Sequence, residues 1–217
     1  MKYKAFIFDF DGTLVDSVPG IVISIKALME ACGKEPLTDE QMRGCVGPPI
    51  HKFFPEILGF QEDELEEAIA QYRRIFDEVA LPMLCAFDGV LDMLRALKER
   101  GAMVGIASCK VKHAAIRQAE TLGIAQYVDV IGGAVPEEGI YEKTDVLNGV
   151  LSKLKVPLEE AVMIGDRKFD LIGAKEAGID GIGVMYGGST DRQELVEHSP
   201  IAIANSVEEL KNILLGV

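Results

Sequence analysis

FIFDFDGTLVDS, residues 6–17, begins as an apolar strand and then places two aspartates, Asp9 and Asp11, one residue apart before turning through Gly12. Two carboxylates that close repel each other and lose hydration when buried, so something must offset the cost. A divalent metal ion and a phosphate group would do so. Hard carboxylate oxygens suit Mg2+, which takes octahedral oxygen ligands and usually keeps some waters.

Further short, Val- and Ile-rich runs resemble the strand that opens this stretch. AFIF (5–8), AMVGIAS (102–108), VDVIGG (128–133), AVMIG (161–165), GIGVMY (181–186) and IAIA (201–204) are too short for helices and read as buried parallel strands. Segments with a 3.6-residue apolar period lie between them: 90–101, 112–123 and 170–178, ending at Gly101, Gly123 and Gly178. This alternation predicts an α/β fold, a Rossmann-like doubly wound parallel sheet with right-handed crossovers. Residues 16–83 break the rhythm. Segments 20–33 and 61–80 read as amphipathic helices, with shorter ones between them, and no strand is evident. The expected organisation is a core of residues 1–15 and 84–217 with an all-α domain, 16–83, inserted after the first strand.

Composition narrows the function. The chain has 217 residues, 48% of them apolar, enough for a substantial core. With 35 acidic against 22 basic residues the net charge is −13, which argues against a nucleic-acid polymer as partner. It leaves room for a small anionic substrate, because a metal ion, a lysine and backbone N–H groups can reverse the field inside a cleft. Cys32, Cys45, Cys85 and Cys109 form no C-x-x-C pair and the three histidines are scattered, so no zinc site is expected. Free thiols, an N-terminal apolar run too short for a signal peptide and the lack of a span of roughly 18 apolar residues point to a cytoplasmic protein away from membranes. A monomer or homodimer is expected, the sequence leaving the choice between them open.

In doubly wound sheets ligands bind beyond the carboxyl ends of the strands, so the residues just past each apolar run carry the most information. Asp9 and Asp11 succeed the first run, Ser108, Cys109 and Lys110 the second, and Asp166 with Asp170 succeed AVMIG; Lys143 is expected just ahead of the helix leading to AVMIG. Carboxylates, a hydroxyl and lysines gathered in this way suit phosphoryl transfer. Asp9 can attack phosphorus and form an aspartyl-phosphate, splitting one hard step into two. Asp11 can protonate the leaving group and then deprotonate the attacking water. Gly12 lets the backbone approach a phosphate, and Ser108, its neighbour Cys109 and Lys143 are candidates to hold the phosphate oxygens. The blander readings are a helix cap for Ser108, a solvated side chain for Lys110, an ordinary first-turn acid for Asp170 and a structural thiol for Cys109.

DFDGTLVDS resembles the first motif of the haloacid dehalogenase superfamily; GIAS resembles its second, Lys143 its third and GDRKFD (165–170) its fourth. The resemblance covers essentially the whole chain, and the helical insert corresponds to the cap domain of that superfamily. It implies Asp9 as nucleophile and Mg2+ ligand, Asp11 as acid/base that also binds metal through its backbone carbonyl, Thr13 orienting Asp11, Asp166 as metal ligand, and Asp170 behind them or as an occasional ligand. GCVGPPIHKFF (44–54) resembles the cap loop of phosphoglycolate phosphatase-like and 5′-nucleotidase-like members, which makes Arg43, Gly47, Pro48, Pro49 and Lys52 candidate substrate-reading residues, with Arg73 and Arg74 as further cations. Asp11 disfavours the dehalogenase and phosphonate-hydrolase branches, and Thr13 the mutase branch. The expected activity is hydrolysis of a small phosphorylated metabolite, with pyrophosphatase or β-phosphoglucomutase-like chemistry as alternatives. From a different class, a phospho-receiver or regulator also clusters aspartates, a hydroxyl and a lysine, but has no use for a helical insert.

Overall fold

The computed structural model describes residues 1–188 and 191–216. Six parallel strands form the main sheet: β1 (Ala5–Phe8), β4 (Met103–Val111), β5 (Val130–Ala134), β6 (Ala161–Gly165), β7 (Asp180–Val184) and β8 (Ala202–Ala204). Their spatial order is β5-β4-β1-β6-β7-β8. The first strand lies between β4 and β6, so Phe8 pairs with Ile106 on one side and Ile164 on the other.

Alternation along β1 assigns the two faces. Phe6 and Phe8 point into a core shared with Leu94 and Leu97 of α5 (Val90–Glu99) and Leu210 of α10 (Val207–Leu215). Ala5 and Ile7 point into a second core built with Val146, Val150 and Leu154 of α7 (Lys143–Leu154) and Ala174 of α8 (Lys168–Ala177). The remaining sheet-flanking helices are α6 (Lys112–Thr121) and α9 (Arg192–Glu197). Each large side chain fully buried here contributes about 1.5–3 kcal/mol. The doubly wound α/β core expected from the sequence is therefore present. Among the described residues, no helix is long and apolar enough to cross a membrane.

The insert holds α1 (Val18–Ala31), α2 (Asp39–Gly44), α3 (Ile50–Glu56) and α4 (Leu65–Ile75), followed by a π-helical turn at Phe76–Ala80 and a 3-10 turn at Leu81–Met83. Two details differ from the sequence reading. The helix expected over 61–80 is α4 plus the π turn. Asp16, expected inside the helical segment, belongs with Val15 to a two-residue strand, β2 (Val15–Asp16), that pairs antiparallel with β3 (Cys85–Ala86). Such short pairs carry no periodicity to read, but they zip together the two chain crossings between sheet and insert.

Candidate active site

Asp9 follows the C-terminal end of β1, where its backbone N–H still donates to the carbonyl of Ile164 (2.8 Å). Its buried carboxylate accepts the Phe10 N–H (2.7 Å) and lies 2.8 Å from Nζ of Lys143. Lys143 is itself buried and is the first residue of α7, not a residue ahead of it. A cation at a helix N-terminus is disfavoured by the dipole. Here Nζ is compensated by Asp9, by Asp170 Oδ1 at 2.8 Å and by the Ala107 carbonyl at 2.8 Å. Burial works against the ammonium, but Asp170 and Asp9 more than offset this and hold it above the usual lysine range. Burial pushes the Asp9 carboxyl up to about 8; Lys143 pulls against that, and Asp170 and Asp166 add to it.

Asp166 follows β6, and Asp170 lies in the first turn of α8, where its Oδ2 accepts the Arg167 N–H (3.0 Å). Oxygens of Asp9, Asp166 and Asp170 all lie within 4.8 Å of one another. Two glycines make room for this. A Cβ on Gly12, which has φ +77°, would sit 2.4 Å from Asp166 Oδ2, and one on Gly165 would sit 2.1 Å from Asp170 Cγ. Thr13 has another partner than the resemblance implies. Its hydroxyl donates to Asp166 Oδ1 (3.1 Å), so it orients Asp166 rather than Asp11, the chain reversing at Gly12 to bring it beside the turn after β6.

Asp11 lies at the edge of the same cluster, its Oδ1 2.9 Å from Lys110 Nζ. The register between β4 and β5 shifts between Ala107 and Val111, so Ser108, Cys109 and Lys110 leave the regular ladder. The buried Ser108 hydroxyl accepts the Lys110 N–H (3.3 Å). Burial pushes the Cys109 thiol up to about 12, which keeps it protonated near neutrality.

A cavity of about 170 Å³ lies between these strand ends and the insert. Asp9, Asp11, Ser108 and Cys109 line its sheet side; Ile21, Phe53, Tyr72 and Phe76 line the insert side. Of the candidate substrate-reading residues, Gly47 and Pro48 line this cavity, as does Arg73. Pro49 lines a second one beside Cys109 and Lys143. Arg43 is exposed, and Lys52 is half-exposed and paired with Glu142 at 2.7 Å. Tyr72, Phe53 and Phe76 do not stand out in the sequence: a helical apolar period reports a buried face, not what lies opposite it. Arg167 is equally inconspicuous there; it binds Glu194 (2.9 Å) behind the Asp166 turn.

A family model described as haloacid dehalogenase-like hydrolase matches residues 6–184. The chain is 34% identical to the tyrosine-protein kinase PtkA of Mycobacterium tuberculosis, over 96% of this chain and 71% of that protein. It is 31% identical to a 5′-nucleotidase of Pseudomonas aeruginosa, over 99% of this chain and 96% of that protein. A solved structure of a predicted phosphatase from Clostridium acetobutylicum superposes with a TM-score of 0.91 at 31% identity, covering all of both chains.

Proposed function

The chain belongs to the haloacid dehalogenase-like hydrolases, and we propose that it is a Mg2+-dependent phosphomonoesterase of a small phosphorylated metabolite that works through an aspartyl-phosphate on Asp9. The observation that carries this reading is the gathering of carboxylates at the strand ends. Oxygens of the buried Asp9, Asp166 and Asp170 lie within 4.8 Å of one another, with Asp11 at the edge of the cluster. Such a set, largely buried, is stabilised by a divalent cation with oxygen ligands. The donor set fits Mg2+: the carboxylates of Asp9 and Asp166 and the main-chain carbonyl of Asp11 would hold it, with Asp170 behind them. When bound, the ion neutralises charge on the transferring phosphoryl group.

The residues of this chain do the rest. Asp9 attacks phosphorus, the bond to the leaving oxygen breaks, and Asp11 gives that oxygen its proton. Asp11 then takes a proton from water, which attacks phosphorus and breaks the bond to Asp9. Lys143 donates to the Ala107 carbonyl and keeps its charge 2.8 Å from both Asp9 and Asp170, so it aims the nucleophile. Ser108 and the backbone beyond Gly12 receive phosphate oxygens. Residues 16–83 act as a cap over a core of 1–15 and 84–217, turning about the β2–β3 pair, and exclude water when closed.

The apolar insert wall favours a leaving group with a ring. Ile21, Phe53, Tyr72 and Phe76 suit a nucleoside better than the charged two-carbon body of phosphoglycolate. The test is phosphate release from p-nitrophenyl phosphate, nucleoside 5′-monophosphates, phosphoglycolate, sugar phosphates and pyrophosphate, with Mg2+ and with chelator. Metal-dependent release, fastest among the metabolite monoesters from nucleotides, is expected. No release from any of them by folded protein would refute the reading.

A further inference from the structure

The π-helical turn at Phe76–Ala80 is a local departure from α geometry, and such turns recur where a helix must present a side chain to a functional site. Here it delivers Phe76, buried, to the sheet side, while Asp77 beside it bonds Arg117 of α6. The Phe76 ring lies over Lys110, with Nζ 5.1 Å from its centroid. A second ring, Phe10, lies 5.4 Å from the same Nζ. Two acceptors fix the ammonium, Asp11 Oδ1 at 2.9 Å and Gln118 Oε1 at 2.6 Å. Gln118 is buried on α6, and the Lys110 side chain is only 13% exposed. Lys110 is thus clamped between sheet and insert and is not a solvated side chain.

We propose that Lys110 is the positioning residue for Asp11, and that Phe76 makes its hold depend on the insert lying against the sheet. The proposal rests on the phosphatase reading and adds a coupling to it. Three contacts of the ammonium come from the core: Asp11, Gln118 and Phe10. The fourth comes from the insert, and an ammonium out of water gains from an aromatic face. With the insert lifted, Lys110 loses one face and gains water, and the Asp11 carboxyl loses a fixed partner. The acid/base group is therefore complete only when the cavity is closed, which confines proton transfer to the closed state.

Two esters separate this role from its rivals. Leaving p-nitrophenolate needs no proton, whereas the alkoxide of a 5′-nucleotide does. Attack by water on the aspartyl-phosphate is common to both esters and enters kcat, so it is in kcat/KM, which reports the steps through phosphorylation of Asp9, that a misplaced Asp11 penalises only the nucleotide. In Lys110→Met, kcat/KM for the nucleotide should fall by about 10²-fold, while that for p-nitrophenyl phosphate falls by less than about tenfold. The retained aryl activity is the control for folding. Phe76→Leu should give a smaller loss in the same direction, and Lys110→Arg, which keeps the charge and the stacking, should recover most of the nucleotide activity. Equal losses on both esters would make Lys110 a phosphate anchor and overturn the proposal. No loss on either would reduce Lys110 to a structural ion pair and overturn it as well. Wild-type protein that cleaves neither ester would remove the phosphatase reading, and this proposal with it.

Discussion

The two sides of the cavity are made of opposite materials. On the sheet side, Asp9, Asp11 and Asp166 stand just beyond the ends of neighbouring parallel strands, their carboxylates held by polar groups of the core. On the insert side, Ile21, Phe53, Tyr72 and Phe76 present carbon, on helices joined to the core through the two-residue β2–β3 pair. The difference assigns labour. In the proposed mechanism, groups that make and break bonds stand at the ends of strands paired on both sides, and groups that would meet the substrate body sit on the separate helical insert. If this division is right, changes on the sheet side should be severe and independent of the substrate, and changes on the insert side mild or substrate-dependent.

The largest effect belongs to the nucleophile. Asp9→Asn should lower kcat by about 10⁴-fold or more at saturating Mg2+, equally for every substrate, with circular dichroism unchanged. Next comes packing at the strand ends. Gly165→Ala would place a Cβ 2.1 Å from Asp170 Cγ and should cost about 1–3 kcal/mol in urea unfolding, together with activity. Gly149→Ala, on α7 with nothing within 4 Å of the added carbon, is the control and should stabilise by about 0.5–1 kcal/mol. If the two variants behave alike, crowding at the strand end is not a constraint.

A pH effect arises from the raised Asp9. In the unfolded chain this carboxyl titrates near 3.8, in the metal-free folded protein near 8. Between those values the folded state binds the extra proton, so its contribution to stability falls as pH rises. In chelator, the melting temperature of wild type should therefore drop relative to Asp9→Asn from pH 5 to pH 8. Added Mg2+, which takes the ionised carboxylate, should close the gap at the upper end. Parallel curves for the two proteins would contradict this. The smallest effect is expected where insert and core meet in solvent. Lys52→Ala removes a half-exposed pair with Glu142 and should change stability by less than about 1 kcal/mol, with any change in activity appearing in KM.

The same division explains what could be read from sequence. Asp9, Asp11 and Asp166 were legible because a parallel strand is a continuous apolar run, and a charge that ends it marks the strand's carboxyl end. β1 and β6 have the bounds expected, residues 5–8 and 161–165. Residue Lys143 was legible as a type but not in place, since nothing local distinguishes a first-turn lysine from one ahead of the helix. The resemblance pairs Thr13 with Asp11, whereas its hydrogen bond reaches Asp166 across 153 positions. The insert wall was illegible for a different reason. Tyr72 and Phe76 lie on a segment whose amphipathic period is plain, but the period continues across the π turn without announcing it. The pairing of Lys52 with Glu142 likewise spans 90 positions and has no local signature.

The proposed chemistry requires that Asp9 be phosphorylated during turnover. The most direct measurement is to mix enzyme, Mg2+ and substrate, quench in acid within milliseconds, reduce with borohydride, and map the modified peptide by mass spectrometry. An acyl phosphate is reduced by borohydride, whereas a free carboxylate is not. A reduced side chain is expected at Asp9 alone, absent with chelator and absent in Asp9→Asn. Phosphate release at the full rate with Asp9 unmodified, or modification at another residue, would contradict it.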